Sequence, residues 1–203
     1  MKWFRCLLIV SLSFFVLGSA EAGTYSLNLR YQPLKDLSSL QAKIGSTLAM
    51  APFEDERPET LYIGLHTNLE GDSTYFKSNP FPLEKAIRES LSAVLSRNGI
   101  KTIPVARWDD KPESLKNMDT DSILMIEIKR FWSEGSAFLF RTKVKTVIQL
   151  VVHLGVKKEG KIFTRNVEIE REMTVPRSTP ERVETMMNQM LTEIFDSYFS
   201  NPY

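Results

Sequence analysis

Along most of its length this chain alternates apolar and polar residues with a period of two, and two stretches change to the period of a helix. From Thr24 to Tyr31, the residues Tyr25, Leu27, Leu29 and Tyr31 share one face while Ser26, Asn28 and Arg30 share the other, which predicts a half-buried strand. A second strand is predicted over 46–53, ended by the charged run Glu54-Asp55-Glu56-Arg57-Pro58. A short third piece over 61–65 precedes a polar loop holding Gly71, Asp72 and Ser73. Residues 101–105 return as a strand, and 109–121 form a polar connection with room for one helical turn.

The first helix is predicted over 82–98. Leu83, Ile87, Leu91, Val94 and Leu95 make one stripe, and Glu84, Lys85, Arg88, Glu89 and Arg97 point away from it. Pro82 suits a first turn, Gly99 a left-handed cap, and Ile100 is placed to fold back onto the helix. The second helix is predicted over 179–201. Thr179, Pro180 and Glu181 open it, and Val183, Met187, Met190, Leu191, Ile194, Phe195 and Tyr198 form its buried stripe. Asn201-Pro202 ends it.

Between these helices lies the most regular pattern in the chain. Residues 122–131 begin apolar on both faces (Ile123, Leu124, Met125, Ile126), as a central strand covered on both sides would be. Phe138, Phe140, Val144, Ile148, Leu150, Val152, Leu154 and Val156 then occupy even positions, predicting one long strand with a bend or bulge within it. Lys157-Lys158-Glu159-Gly160 makes a turn, and the returning strand places Phe163, Val167, Ile169 and Met173 at odd positions. Pairing Val156 with Lys161 sets Leu154 opposite Phe163, Leu150 opposite Val167, Ile148 opposite Ile169 and Val144 opposite Met173, with Lys145 opposite Glu172 on the other face. A slip of one residue would spoil both faces, so the register is specified. The predicted fold is a single α+β domain: a mixed or antiparallel sheet with a long C-terminal hairpin and two amphipathic helices packed on it.

The first twenty-two residues stand apart from this pattern. Lys2 and Arg5 precede an apolar run from Cys6 to Ala20, and Ala20-Glu21-Ala22 supplies a small-x-small cleavage site, so 1–22 reads as a cleaved signal peptide with Gly23 the first mature residue. A membrane span takes about 20 apolar residues, more than this run offers. Such a leader implies a periplasmic protein, with association to the outer membrane as the extension of that expectation, and no nucleotide pool to draw on. The one cysteine, Cys6, begins the apolar run instead of following it, so it cannot act as a lipidation site and leaves with the leader. No disulfide or thiolate site then remains.

Charge narrows the class further. The whole chain has 26 basic and 25 acidic residues, and without Lys2, Arg5 and Glu21 it has 24 of each. A nucleic-acid binder normally carries a basic excess, because phosphate neutralisation dominates its affinity; none is expected here. Catalytic motifs are also missing: no G-x-S-x-G, S-x-x-K, H-E-x-x-H, Walker A or G-x-G-x-x-G occurs. His66 and His153 have no histidine or cysteine three or four residues away, and His153 falls on the polar face of its strand, so a surface histidine is expected there and not a metal ligand. Glu54-Asp55-Glu56 is expected as a solvated strand end, and Asp119 and Asp121 as turn residues. Met186, Met187 and Met190 continue a helical stripe and are expected in the core; Arg141, Lys143 and Lys145 are expected on a charge-paired sheet face. No catalytic residue, cofactor site or metal site is predicted.

The segment Tyr75-Phe76-Lys77-Ser78-Asn79-Pro80-Phe81 is predicted as an aromatic loop, and Tyr75, Phe76 and Phe81 are the candidate partner contacts. The competing expectation is that Phe76 and Phe81 staple the entry of the helix.

Several segments together carry a resemblance. Ala51-Pro52-Phe53-Glu54-Asp55-Glu56-Arg57-Pro58, then Ile63-Gly64, then the helix ending in Asn98-Gly99-Ile100, resemble the YajG-like bacterial lipoproteins over 46–130. In that family a strand leads into a D-x-R-like turn, an I-G and a helix that brings in the next strand. The pattern as a whole is also similar to auxiliary lipoproteins of envelope transport systems. These resemblances imply an exported α+β envelope protein with no established enzymatic activity, although this chain lacks the lipobox cysteine. The function expected is that of an accessory or adaptor whose sheet edge or aromatic loop contacts other envelope proteins. The alternative is a carrier that holds a lipid or small apolar ligand between helices and hairpin sheet, or meets a membrane surface.

Overall fold

A strand of 17 residues in the middle of the chain organises the rest of the fold. The computed structural model describes residues 23–202, so the leader predicted over 1–22 lies outside the described residues. In chain order the elements are β1 (Gly23–Asn28), α1 (Leu40–Ile44), β2 (Thr47–Met50), β3 (Glu54–Asp55), β4 (Gly64–Thr67), β5 (Ser73–Asn79), α2 (Leu83–Arg97), β6 (Lys101–Pro104), α3 (Pro112–Lys116), β7 (Ser122–Phe138), β8 (Arg141–Val156), β9 (Lys161–Val175) and α4 (Pro180–Ser200). On one side β7 pairs antiparallel with β8 along its whole length, and β8 pairs with β9. On its other side it pairs in succession with β2, β3 and β4, all parallel to it. β6 flanks β2, while β5 and then β1 flank β4, giving one mixed sheet of nine strands.

The hairpin register expected from parity is the one observed: Leu154↔Phe163, Leu150↔Val167, Ile148↔Ile169, Val144↔Met173 and Lys145↔Glu172. Gly160 closes the turn with φ 60°. On the outer face the charges pair diagonally, Lys143 with Glu172 and Lys145 with Glu170, each at 2.8 Å.

Both helices cover one face of the sheet. Leu83, Ile87, Leu91, Val94 and Leu95 of α2 and Val183, Met187, Met190, Leu191, Ile194, Phe195 and Tyr198 of α4 share one core with Leu124, Ile126 and Ile128 of β7 and the even positions of β8. Full burial of each such side chain contributes about 1.5–3 kcal/mol relative to leaving it in water. Met186 joins the same core, as expected of a helical stripe. On the opposite face Ile123 and Met125 meet Ala49, Ala51 and Leu115, with Trp108 and Met118 packed against them. The doubly apolar start of β7 is therefore covered on both sides, as its sequence requires.

Several elements differ from the sequence expectation. The long even-numbered strand does not begin at Phe138: β7 runs on to Phe138, and Leu139-Phe140 form the turn into β8. The bulge lies in β7, where Lys129 is inserted between the pairs Ile128↔Leu150 and Arg130↔Gln149. One extra residue switches the inward positions from Leu124, Ile126 and Ile128 to Phe131 and Ser133. The strand expected over 46–53 stops at Met50, and Glu54–Asp55 form a separate strand on β7. The strand expected over 24–31 ends at Asn28, although Leu29 and Tyr31 are buried. α1 carries no sequence signal strong enough to announce five residues of helix.

Candidate functional site

The aromatic segment singled out from sequence is not a loop. Tyr75 and Phe76 lie in β5, between β1 and β4. Phe76 is fully buried and meets the His66 ring edge-on at 4.7 Å, so it faces the core and not a partner. Tyr75 packs on Tyr62 at 4.5 Å, and Phe81 remains exposed beyond the strand end. The three are therefore not brought together as one surface.

Neither histidine is a surface residue, and for His153 this differs from expectation. His153 does project from the polar face of β8, but the 105–118 segment covers that face. Its Nδ1 lies 3.1 Å from Thr164 Oγ1 and 3.5 Å from Asp110, and Glu127 Oε1 lies 3.2 Å from its Nε2. His66 sits between two hydroxyls, Ser133 Oγ at 3.2 Å from Nε2 and Ser178 Oγ at 3.1 Å from Nδ1, and Ser133 Oγ in turn accepts from Thr146. A neutral ring protonated on Nδ1 satisfies all three contacts. Burial pushes the His66 pKa down to about 4. Gly135 makes room for the ring: a Cβ there would lie 2.4 Å from His66 Cγ. Such a ring is a weak base at neutral pH and works here as a hydrogen-bond hub under β4 and β7.

The acidic run is solvated at Glu54 and Glu56, as expected, but not at Asp55. Asp55 is buried with Arg57, which forms a bidentate pair with it at 2.8 Å through Nε and Nη2. The remaining guanidinium protons reach the carbonyls of Tyr62, Phe131 and Thr60. All five donors of Arg57 are thus used, and the bond to Phe131 lands just past the β7 bulge. The D-x-R turn of the family resemblance is a structural clamp. Glu56 pairs with Lys129, the bulged residue itself, and Lys129 also holds the Glu127 carboxyl below its usual range. Asp121, taken from sequence as a turn residue, accepts from the backbone N–H of Ser46 and Thr47, which holds its carboxyl low as well. Among the described residues no group of three His, Cys, Asp or Glu side chains is arranged to hold a metal ion.

Two surfaces remain. The first runs along β9, which pairs with β8 and has no strand on its outer edge among the described residues. The inward side chains Phe163, Val167, Ile169 and Met173 pack on the core yet stay half-buried, because the sheet ends there. Between them and α4 lies a groove of about 1070 Å³ with Val167, Ile169 and Ile194 in its floor and Gln32, Lys35, Arg171 and Glu193 around it. Asp196 fixes the N-terminal wall of this groove: it accepts from Tyr31 Oη at 2.7 Å and from the backbone of Leu34 and Lys35. Burial and that hydrogen bond drive the Tyr31 pKa upward. The second surface is the sheet end at the β7–β8 turn, where Phe138, Leu139 and Phe140 are exposed. No sequence signal separated Phe138 and Phe140 from core residues, because their parity continues that of β8.

No known family matches the sequence, and no curated protein is significantly similar to it. Among solved structures the fold is similar to that of protein XCC0632 from Xanthomonas campestris, of the family DUF330, at 17% identity over 88% of this chain and 93% of that one, with a TM-score of 0.54. Lipoprotein GNA1162 from Neisseria meningitidis matches at 15% identity over 74% and 98%, with a TM-score of 0.40. A PelC dodecamer from Paraburkholderia phytofirmans matches at 11% identity over 72% and 86%, with a TM-score of 0.38. The likeness to XCC0632 is one of fold. The YajG-like resemblance has no family match behind it. Among the described residues no helix is long and apolar enough to cross a membrane.

Proposed function

We propose that this chain is a non-catalytic periplasmic adaptor that receives an extended segment of another envelope protein along β9. One observation carries the reading: a 15-residue strand whose outer edge is open among the described residues lies beside a groove with an apolar floor. An open edge offers unpaired backbone N–H and C=O groups to an incoming strand, and alternate pockets select its side chains. The exposed face of β9 carries Glu168, Glu170 and Glu172, which discourage indiscriminate pairing with any other edge. The leader read from sequence supports the compartment. The hydroxyl-bound, weakly basic His66 and the absence of a catalytic motif support a non-enzymatic role.

A photoreactive residue at Glu168 tests this in intact cells. We expect one adduct of defined mass with an envelope protein, and none from the same group placed at Glu113 on α3. Equal labelling from both positions, or none from Glu168, overturns the reading. The carrier alternative draws on the same groove; lipid retained in native mass spectra of the purified protein would favour it.

A further inference from the structure

The β7–β8 turn is an anomaly. Two-residue hairpin turns favour Asn-Gly and similar pairs, because they demand backbone conformations that bulky residues resist. Here the turn is Leu139-Phe140, with Phe140 at φ 63°. Its side chain is 91% exposed, Leu139 74% and Phe138 53%. Exposed aromatic residues on a strained backbone carry no folding advantage, so the outlier points toward function.

The surroundings extend the anomaly into a patch. Tyr25 and Leu69, both exposed, line a cleft of about 490 Å³ together with Phe138 and Phe140. Arg141 and Arg177 line it too, against the single carboxylate of Glu70. The tip itself is narrow. A stable protein interface buries about 800 Å² on each partner, and three residues projecting from a turn do not provide that. A lipid surface needs no complementary shape, only apolar side chains to enter and cations to stay at the headgroups.

The start of the described chain lies at the same end of the sheet. The ladder pairs Gly23 with Thr74, Thr74 with His66, and His66 with Gly135. Gly23 thus lies on the level of Gly135, about 10–15 Å short of the tip at the rise of a strand. β1 runs away from the tip, so the described chain starts, at Gly23, from the tip end of the sheet.

We propose that this end of the sheet is a membrane-contact element. Phe138, Leu139 and Phe140 enter the interfacial layer of a bilayer, and Arg141 and Arg177 sit among anionic headgroups. A contact of this size gives reversible binding, since even a single acyl chain holds a protein only marginally. It orients the long strands toward the membrane. The proposal is independent of the adaptor reading, because it uses neither β9 nor its groove.

The test is flotation with vesicles of equal parts phosphatidylglycerol and phosphatidylcholine, using the form of the protein recovered from the periplasm. The wild type is expected to float. Leu139→Asn with Phe140→Gly, a pair suited to the turn, should lower partitioning roughly tenfold or more while the domain still unfolds cooperatively, at a melting temperature no lower than that of the wild type. Arg141→Glu with Arg177→Glu should weaken binding roughly tenfold on these vesicles. Phe81→Ser, which removes an exposed aromatic elsewhere, should leave it unchanged. A wild type that does not float, a turn variant that floats as well as the wild type, or a Phe81→Ser loss equal to that of the turn variant overturns the proposal.

Discussion

The two ends of the β7–β8 ladder are built from the same residue types and have opposite fates. At one end Leu124, Ile126 and Ile128 of β7 face Leu150, Val152 and Leu154 of β8 inside a closed core, and Ile123 and Met125 are covered from behind. At the other end the inward positions hold a hydroxyl–imidazole network of Ser133, Thr146, His66 and Ser178, and the last apolar residues stand in solvent. Between the two lies the Lys129 bulge. Apolarity decides that a residue will be buried only where another element is available to cover it. Past the bulge α4 begins at Pro180 and leaves the turn behind.

Removing the clamp at the boundary should have the largest effect. Arg57→Ala leaves Asp55 buried without its cation, which should cost about 3–5 kcal/mol in urea unfolding. Lys in its place cannot supply five directed donors and should recover little of the loss. A cost of under about 1 kcal/mol would show that the bulge holds without the guanidinium. Next comes the closed end itself. Ile126→Ala should cost about 2–5 kcal/mol, whereas Phe138→Ala at the open end should stay within about 0.5 kcal/mol. Equal costs would dissolve the contrast between the ends.

A smaller effect appears as a dependence on pH. The His66 pKa is about 4 in the fold, against about 6.5 in an unfolded chain. The unfolded state therefore binds the proton first, and stability falls as pH drops through the window between those values. Its contribution is complete above about 6.5, and the slope within the window is at most ~1.4 kcal/mol per pH unit. His66→Gln should lower stability at neutral pH and flatten that slope, as denaturation at about pH 7.5 and about pH 5 will show. An unchanged slope would place the titration elsewhere. The smallest effect has the opposite sign. Leu139→Asn with Phe140→Gly relieves a left-handed aromatic residue and should raise the melting temperature by about 2–4 °C. A fall would mean that the tip packs in a way its exposure does not suggest.

Legibility in the sequence followed the same division. The β8–β9 register was readable residue by residue, because both faces of that hairpin obey one parity and any slip violates both. The stripes of α2 and α4 were readable for a similar reason, with Gly99 closing α2 in the left-handed conformation its type permits. The β7 bulge left a trace, since the inward residues change from even to odd after Ile128, but the apolar Phe138 and Phe140 continued the parity of β8 and concealed the turn. His66, Ser133 and Ser178 gave no trace. They are separated by 67 and 112 residues, and only the parallel pairing of β4 with β7 brings the first two together.

Local periodicity determined most of the strands, though not β3, β5 or the β7–β8 boundary, and with them the two covering helices and the register of the last hairpin, because those depend on which face of an element is apolar. Tertiary structure alone decided what covers each face. The 105–118 segment buries His153, β1 and β4 enclose Phe76 within the sheet, and Arg57 reaches from a charged turn to a carbonyl 74 residues away. Among the described residues nothing closes over Leu139 and Phe140 or along the edge of β9. Burial is a relation between two surfaces, and an apolar pattern in one segment specifies only the first of them.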